Sequence, residues 1–181
     1  MNYLNVVYGL CLLFFSCAQP EEVMSDKQAY FDFPDFIAQE QNRLVTGKFS
    51  LTKVLHNESK TDSTQQSSPD WSKELQLFQG LDINKPAFIG KYSIKSEKCA
   101  DSLICEHYVA LDSTLLIRKL IVSRLGDMVR EVYILKDDHA MFLDNRIEVN
   151  YFPSQGFTVK GYRNLLGFET SYEVHGRFDG Q

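Results

Sequence analysis

The side chains able to do chemistry in this chain of 181 residues are few and far apart. Cys105 and His107 stand two apart in ICEHYVA. On a strand that spacing puts a thiol and an imidazole on one face, the minimum for a thiolate nucleophile with its base. Cys99 precedes them in KCADSLIC. In an oxidising compartment an even pair of cysteines reads as a disulfide, and a Cys99–Cys105 bridge consumes the thiol. The five residues between them exclude a CxxC redox motif. His107 sits in an apolar strand pattern and is expected as a satisfied core residue, whereas His56 and His175 are expected to face solvent. His139 follows Asp137-Asp138 in what reads as a solvated hairpin turn. None of these histidines falls in HExxH or a tight His/Asp array, so no metal site is expected. No serine lies in a GxSxG context. The expectation is therefore a protein that is not an enzyme and carries no metal. A hydrolase with dispersed residues is the alternative.

A different chemistry is written near the N-terminus. The apolar run Tyr3 to Phe15 stops at Ser16-Cys17 and turns polar at once in AQPEE. As a helix, that run spans about 20 Å, short of the roughly 20 residues a bilayer core needs. It has the length of a signal-peptide apolar region. Hydrophobic-hydrophobic-small-Cys, here Phe14-Phe15-Ser16-Cys17, resembles the lipobox of bacterial lipoproteins. The resemblance implies a leader over 1–16, a diacylglycerol on the Cys17 thiol and an acyl chain on its amine, with no other cofactor. It implies a bacterial cell-envelope location, anchored to the membrane by lipid. Ala18 at the next position, where an Asp would signal inner-membrane retention, points to the outer membrane, on its periplasmic or its surface face. Without the lipobox, the same run reads as an ordinary secretory leader. Residues 17–27 read as a lipidated polar tether and 28–181 as one domain.

Composition limits the partners. With 19 basic and 24 acidic residues the net charge is −5, and the basic side chains are scattered. That is not the footprint of a nucleic-acid binder. The expected partners are the membrane, through the anchor, and an envelope protein or an apolar small molecule.

Periodicity supplies the elements that must position these residues. Phe33, Phe36, Ile37, Glu40 and Leu44 recur at helical spacing with one polar interruption, predicting a helix over 29–44 with Asp32 as its cap and Pro34 in its first turn. Thr46 to His56 reads as a strand. The polar stretch 57–69 reads either as a loop or as a turn and a polar edge strand. Ser68 and Pro69 open a second helix carrying Trp71, Leu75, Phe78 and Leu81 on one face. From Phe88 the period becomes two, and seven strands follow at roughly ten-residue spacing. The last, Phe168 to Phe178, alternates cleanly, predicting one face on a core and one in water. The expected fold is α+β: N-terminal helices packed on a curved antiparallel meander, a half-open barrel.

The segment WSKELQLFQGLDINKPAF, with the closing YEVHGRF, is similar to a group of uncharacterised bacterial lipoproteins with a lipobox, a short N-terminal helix, a Trp-x-x-Glu-Leu helix ending in Asp-Ile-Asn-Lys-Pro, and a β meander. That resemblance implies an envelope location and no assigned activity. At a coarser level the layout resembles outer-membrane lipoprotein carriers, in which an open barrel holds acyl chains. Asp82, Asn84 and Lys85 beside Trp71 are the candidate pocket or partner surface. The competing reading of the same residues is a helix stop with Asp82 or Asn84 capping the backbone. The function expected is a membrane-anchored envelope lipoprotein acting as a binding or assembly module, with carriage of an apolar ligand in the sheet as the alternative.

Overall fold

The computed structural model describes residues 29–100 and 102–180. The leader, Cys17 and the tether lie outside them. Helix α1 (Phe33–Thr46) leads into β1 (Ser50–Asn57) and β2 (Lys60–Gln66). Two short helices follow, α2 (Trp71–Glu74) and α3 (Gln76–Gln79), then a 3-10 turn at Pro86–Phe88. The chain then runs as β3 (Tyr92–Ala100), β4 (Leu103–Ala110), β5 (Ile117–Leu125), β6 (Met128–Ala140), β7 (Leu143–Phe152), β8 (Gly156–Leu165) and β9 (Phe168–Asp179). All nine strands form one antiparallel sheet in the order β2-β1-β9-β8-β7-β6-β5-β4-β3. It is not closed into a barrel, because β2 and β3 are its two edges. The polar stretch after Asn57 is the edge strand β2, whose Lys60 and Asp62 are exposed as an edge strand requires.

An antiparallel meander sets alternate turns at opposite ends. At one end lie the β3–β4, β5–β6 and β7–β8 turns, together with the start of β1 and the end of β9. The helices cover this end. Phe33, Ile37 and Leu44 of α1 are fully buried, as are Leu75 of the α2–α3 junction and Leu51, Tyr151, Val132 and Ile134 of the sheet. The Phe78 ring centre lies 5.1 Å from Phe157 and 5.6 Å from Tyr151, and Trp71 stands edge-on to Phe178 at 5.3 Å. Each such large apolar side chain stabilises the fold by about 1.5–3 kcal/mol on burial. At the other end lie the β1–β2, β4–β5, β6–β7 and β8–β9 turns. The 3-10 turn enters β3 beside the β4–β5 turn, where the Lys91 carbonyl accepts the Leu111 N–H at 2.9 Å and Leu115 is buried, whereas Met141, Phe142, Leu166 and Phe168 at the β6–β7 and β8–β9 tips are exposed.

Several local expectations change. The second helix is broken at Leu75 into two single turns, although Trp71, Leu75, Phe78 and Leu81 all remain buried. Asp70, not Ser68, is its N-cap, and its carboxylate accepts from the Ser72 hydroxyl at 2.7 Å instead of from the backbone. The core face of β4 carries Tyr108 and Ala110, while Cys105, His107 and Val109 lie on the opposite face. Both faces of β4 hold apolar residues, so alternation alone does not choose between them. In β5 a bulge at Arg118 shifts the register, so Ile117 and Leu120 both reach the core. Asp137, Asp138 and His139 lie within β6, and the turn comes later, at Met141-Phe142. Finally, the even face of β9 meets the core only at Val174, Gly176 and Phe178, and Phe168 is exposed.

Candidate functional site

Asn84 ties the N-terminal segment to the body. Its Oδ1 accepts the Tyr30 N–H at 2.9 Å, and its Nδ2 donates to the carbonyls of Tyr30 and Phe31, each at 3.2 Å. Asp82 Oδ1 accepts the Asn84 N–H at 2.7 Å, which fixes the turn that presents Asn84. The Lys85 ammonium lies 5.7 Å from the Phe88 ring centre. Trp71 packs elsewhere, against Phe178. Asp82 and Asn84 are thus brought together, and their bonds go to the chain's own backbone. Tyr30 is held on the other side by its ring contacts with Tyr92 and Tyr108, at 5.3 and 6.0 Å. Burial pushes the phenols of Tyr92 and Tyr108 up to about 12. The Tyr92 hydroxyl donates to the Ile117 carbonyl at 2.9 Å.

A cleft of about 550 Å³ opens at the helix-covered end, between the first turns of α1 and the β5–β6 and β7–β8 turns. Asp32 caps α1 by accepting the Asp35 N–H at 2.9 Å, and Asp35 accepts from Gln39 at 2.7 Å. Across the cleft the Arg124 guanidinium lies 5.2 Å from the Phe31 ring centre and 3.5 Å from Glu106. At its floor Glu40, the polar interruption in the helical stripe, is buried. Arg43 Nε and Nη2 donate to its two oxygens at 2.9 Å each, and the Tyr151 hydroxyl donates to Oε2 at 3.2 Å. A buried carboxylate needs such partners to be tolerated. Burial, with the Glu40 charge beside it, raises the Tyr151 phenol far above its ordinary value, and the Glu40 hydrogen bond raises the Arg43 guanidinium. The cleft is thus a polar, charge-lined surface suited to hydrogen-bonded recognition. The Glu40–Arg43–Tyr151 group was not singled out by motif. Its one sequence signal is an acid inside an apolar stripe with an arginine at i+3.

The other chemically suggestive residues are spread over the outer face of the sheet. The Cys99–Cys105 disulfide is formed, with Cα atoms 5.7 Å apart across β3 and β4. His107 is therefore beside a bridge and not a thiol. It is half-buried on the outer face and not in the core, and its Nε2 lies 3.2 Å from Glu97 Oε1 without hydrogen-bond alignment. Glu97 is held below the usual carboxylate range by Lys95. His56 and His175 are exposed, and His175 and Lys160 both meet Glu173, at 3.1 Å each. Protonated His139 donates to two carboxylates, from Nδ1 to Asp144 at 2.7 Å and from Nε2 to Asp137 at 3.1 Å, and these raise its pKa above the ordinary 6.5. Among the described residues no group of three or more His, Cys, Asp or Glu is placed to hold a metal ion. Compared with known proteins, the chain matches no family model and no curated protein.

Proposed function

We propose that this protein is an outer-membrane lipoprotein, held by acyl chains on Cys17, whose body is a binding or assembly module and not an enzyme. The carrying observation is the Tyr3–Phe15 run, too short to span, ending at Ser16-Cys17 and followed at once by a polar stretch. Among the described residues no helix is long and apolar enough to cross a membrane. Two or three acyl chains, at about 0.8 kcal/mol per buried methylene, hold such a body durably. The chemistry of the body agrees with recognition: Cys105 is bridged, and the cleft above Glu40 offers hydrogen-bonding side chains.

We read the sheet as a half-open barrel. Tyr92 of β3 and Leu51 of β1 belong to one core cluster, yet seven strand spacings in a flat sheet would set these strands about 34 Å apart. The 14-residue α1 is only about 21 Å long. The barrel half under the helices is filled by Phe33, Phe78 and Tyr151, all nearly or wholly inaccessible. Recognition is therefore placed at the cleft, and an acyl-chain carrier would require the helices to leave the sheet.

Intact mass spectrometry of protein extracted from bacterial membranes tests the anchor. A chain beginning at Cys17 and bearing diacylglycerol plus an N-acyl group is expected. A chain cut elsewhere with an unmodified Cys17 overturns the reading.

A further inference from the structure

The uncovered end of the sheet carries a second feature. The β6–β7 hairpin ends in Ala140-Met141-Phe142-Leu143, and the β8–β9 hairpin in Leu165-Leu166-Gly167-Phe168. Neither quartet contains a charged or hydrogen-bonding side chain. Four of these residues are among the most exposed large apolar side chains: Met141 at 87%, Phe168 at 79%, Leu166 at 66% and Phe142 at 62%. The tips are neighbours. Leu143 pairs with Leu165 and Leu165 with Phe168, and the Leu166 N–H donates to the Phe142 carbonyl at 3.1 Å. One exposed apolar residue is ordinary, but a contiguous set on adjacent turns marks a contact surface.

From this geometry we infer that the paired tips dip into the lipid surface to which the protein is anchored. The orientation rests on the anchor proposed above. Followed toward the N-terminus, the chain passes from Phe31, beside Arg124 at the end of β5, to Tyr30, against Tyr92 and Tyr108. Tyr108 lies four residues along β4 from Ile104, the partner of Arg124, and so nearer the uncovered end. From Phe31 back to Tyr30 the described chain thus runs toward the uncovered end. From there the β6–β7 tip is roughly 20–25 Å away and the β8–β9 tip roughly 30 Å, counted in strand rises and strand spacings of a flat sheet. Residues 18–28, fully extended, reach at most about 40 Å, so Cys17 and the tips can share one bilayer surface. The clefts that could seat a peptide lie elsewhere, above Glu40 and on the outer face near His56. A bilayer interface needs apolar protrusions and no complementary groove, which is what the two turns present.

The test uses the full-length protein as it matures in bacteria, with vesicles of phosphatidylethanolamine and phosphatidylglycerol. A tryptophan is placed at the tip (Phe142→Trp) or at the opposite end (Met128→Trp), and the buried Trp71 signal is subtracted. The expected result is a blue shift for Phe142→Trp on adding vesicles, with brominated lipid quenching it roughly threefold more than Met128→Trp. Phe168→Trp is the second tip probe and is expected to agree. A tip tryptophan that stays red and remains open to iodide, in a chain that pellets with vesicles through Cys17, overturns the inference and leaves the anchor intact. A tip that shifts in a Cys17→Ser chain supports it independently of the anchor. A blue shift that grows with protein concentration without vesicles assigns the tips to a second copy and overturns it.

Discussion

The two ends of the sheet are built from the same strands and differ in what covers them. At the helix-covered end the inner face is sealed by Phe33, Ile37, Leu75 and Phe78, and the turns are polar: Gly126-Asp127 in one, Pro153-Ser154-Gln155 in another. At the uncovered end the inner face runs out past the helices and two turns are apolar: Met141-Phe142 and Leu166-Gly167. Leu111 and Leu116, flanking the β4–β5 turn, are exposed at that end too. The other two turns there are polar, Glu58-Ser59 between β1 and β2 and Asp112-Ser113-Thr114 between β4 and β5, so the apolar contrast belongs to the two adjacent tips. An apolar side chain under a helix contributes to stability, whereas one on a bare turn contributes to contact with something else. Stability and contact are thus assigned to opposite ends of one sheet.

Substitutions should separate the two roles, most strongly in the packed half. Phe33→Ala or Phe78→Ala is expected to lose about 3–5 kcal/mol in urea unfolding, because each empties a fully packed site. Gly156→Ala, at the same end, should cost at least about 1–3 kcal/mol. Its φ is +148°, and an added Cβ would meet the Gly176 carbonyl oxygen at 1.9 Å. Replacing both cysteines of the Cys99–Cys105 bridge should lower stability by about 2 kcal/mol, since the closed loop is small. Phe142→Ser with Phe168→Ser should leave unfolding within about 0.5 kcal/mol of wild type. A large loss there would break the comparison.

The smallest expected effect concerns pH. The carboxylates of Asp144 and Asp137 raise the His139 pKa, so protonated His139 stabilises the β6–β7 hairpin. That contribution is complete below the ordinary 6.5 and fades as pH rises through the elevated folded value. NMR titration should show His139 deprotonating above 6.5, and Asp144→Asn should move it down. An unshifted His139 would remove this support from the tip.

Alternation over residues 88–178 reveals all seven strands of the meander, whereas the polar stretch after Asn57 is compatible with a loop or an edge strand, and only the structure selects the edge strand β2. What alternation cannot reveal is whether anything lies on the apolar face. Phe168 and Tyr172 continue the pattern of Val174 and Phe178, but the helices end before reaching them, so they are half or mostly exposed. Coverage is a property of length and placement in three dimensions, not of local period. The same limit hid the cleft. Glu40 is legible as an oddity in its helix, but its partner Tyr151 lies 111 residues away on β7. Arg118 shows why faces go astray: one bulged residue reverses the parity of everything after it.

Hydrogen exchange of the full-length protein as it matures in bacteria, with and without vesicles, tests the division between the two ends most directly. Slowed exchange confined to 140–143 and 165–168, with 126–128 and 153–155 unchanged, is the predicted result. Equal slowing at both ends, or none at the hairpin tips, would contradict it.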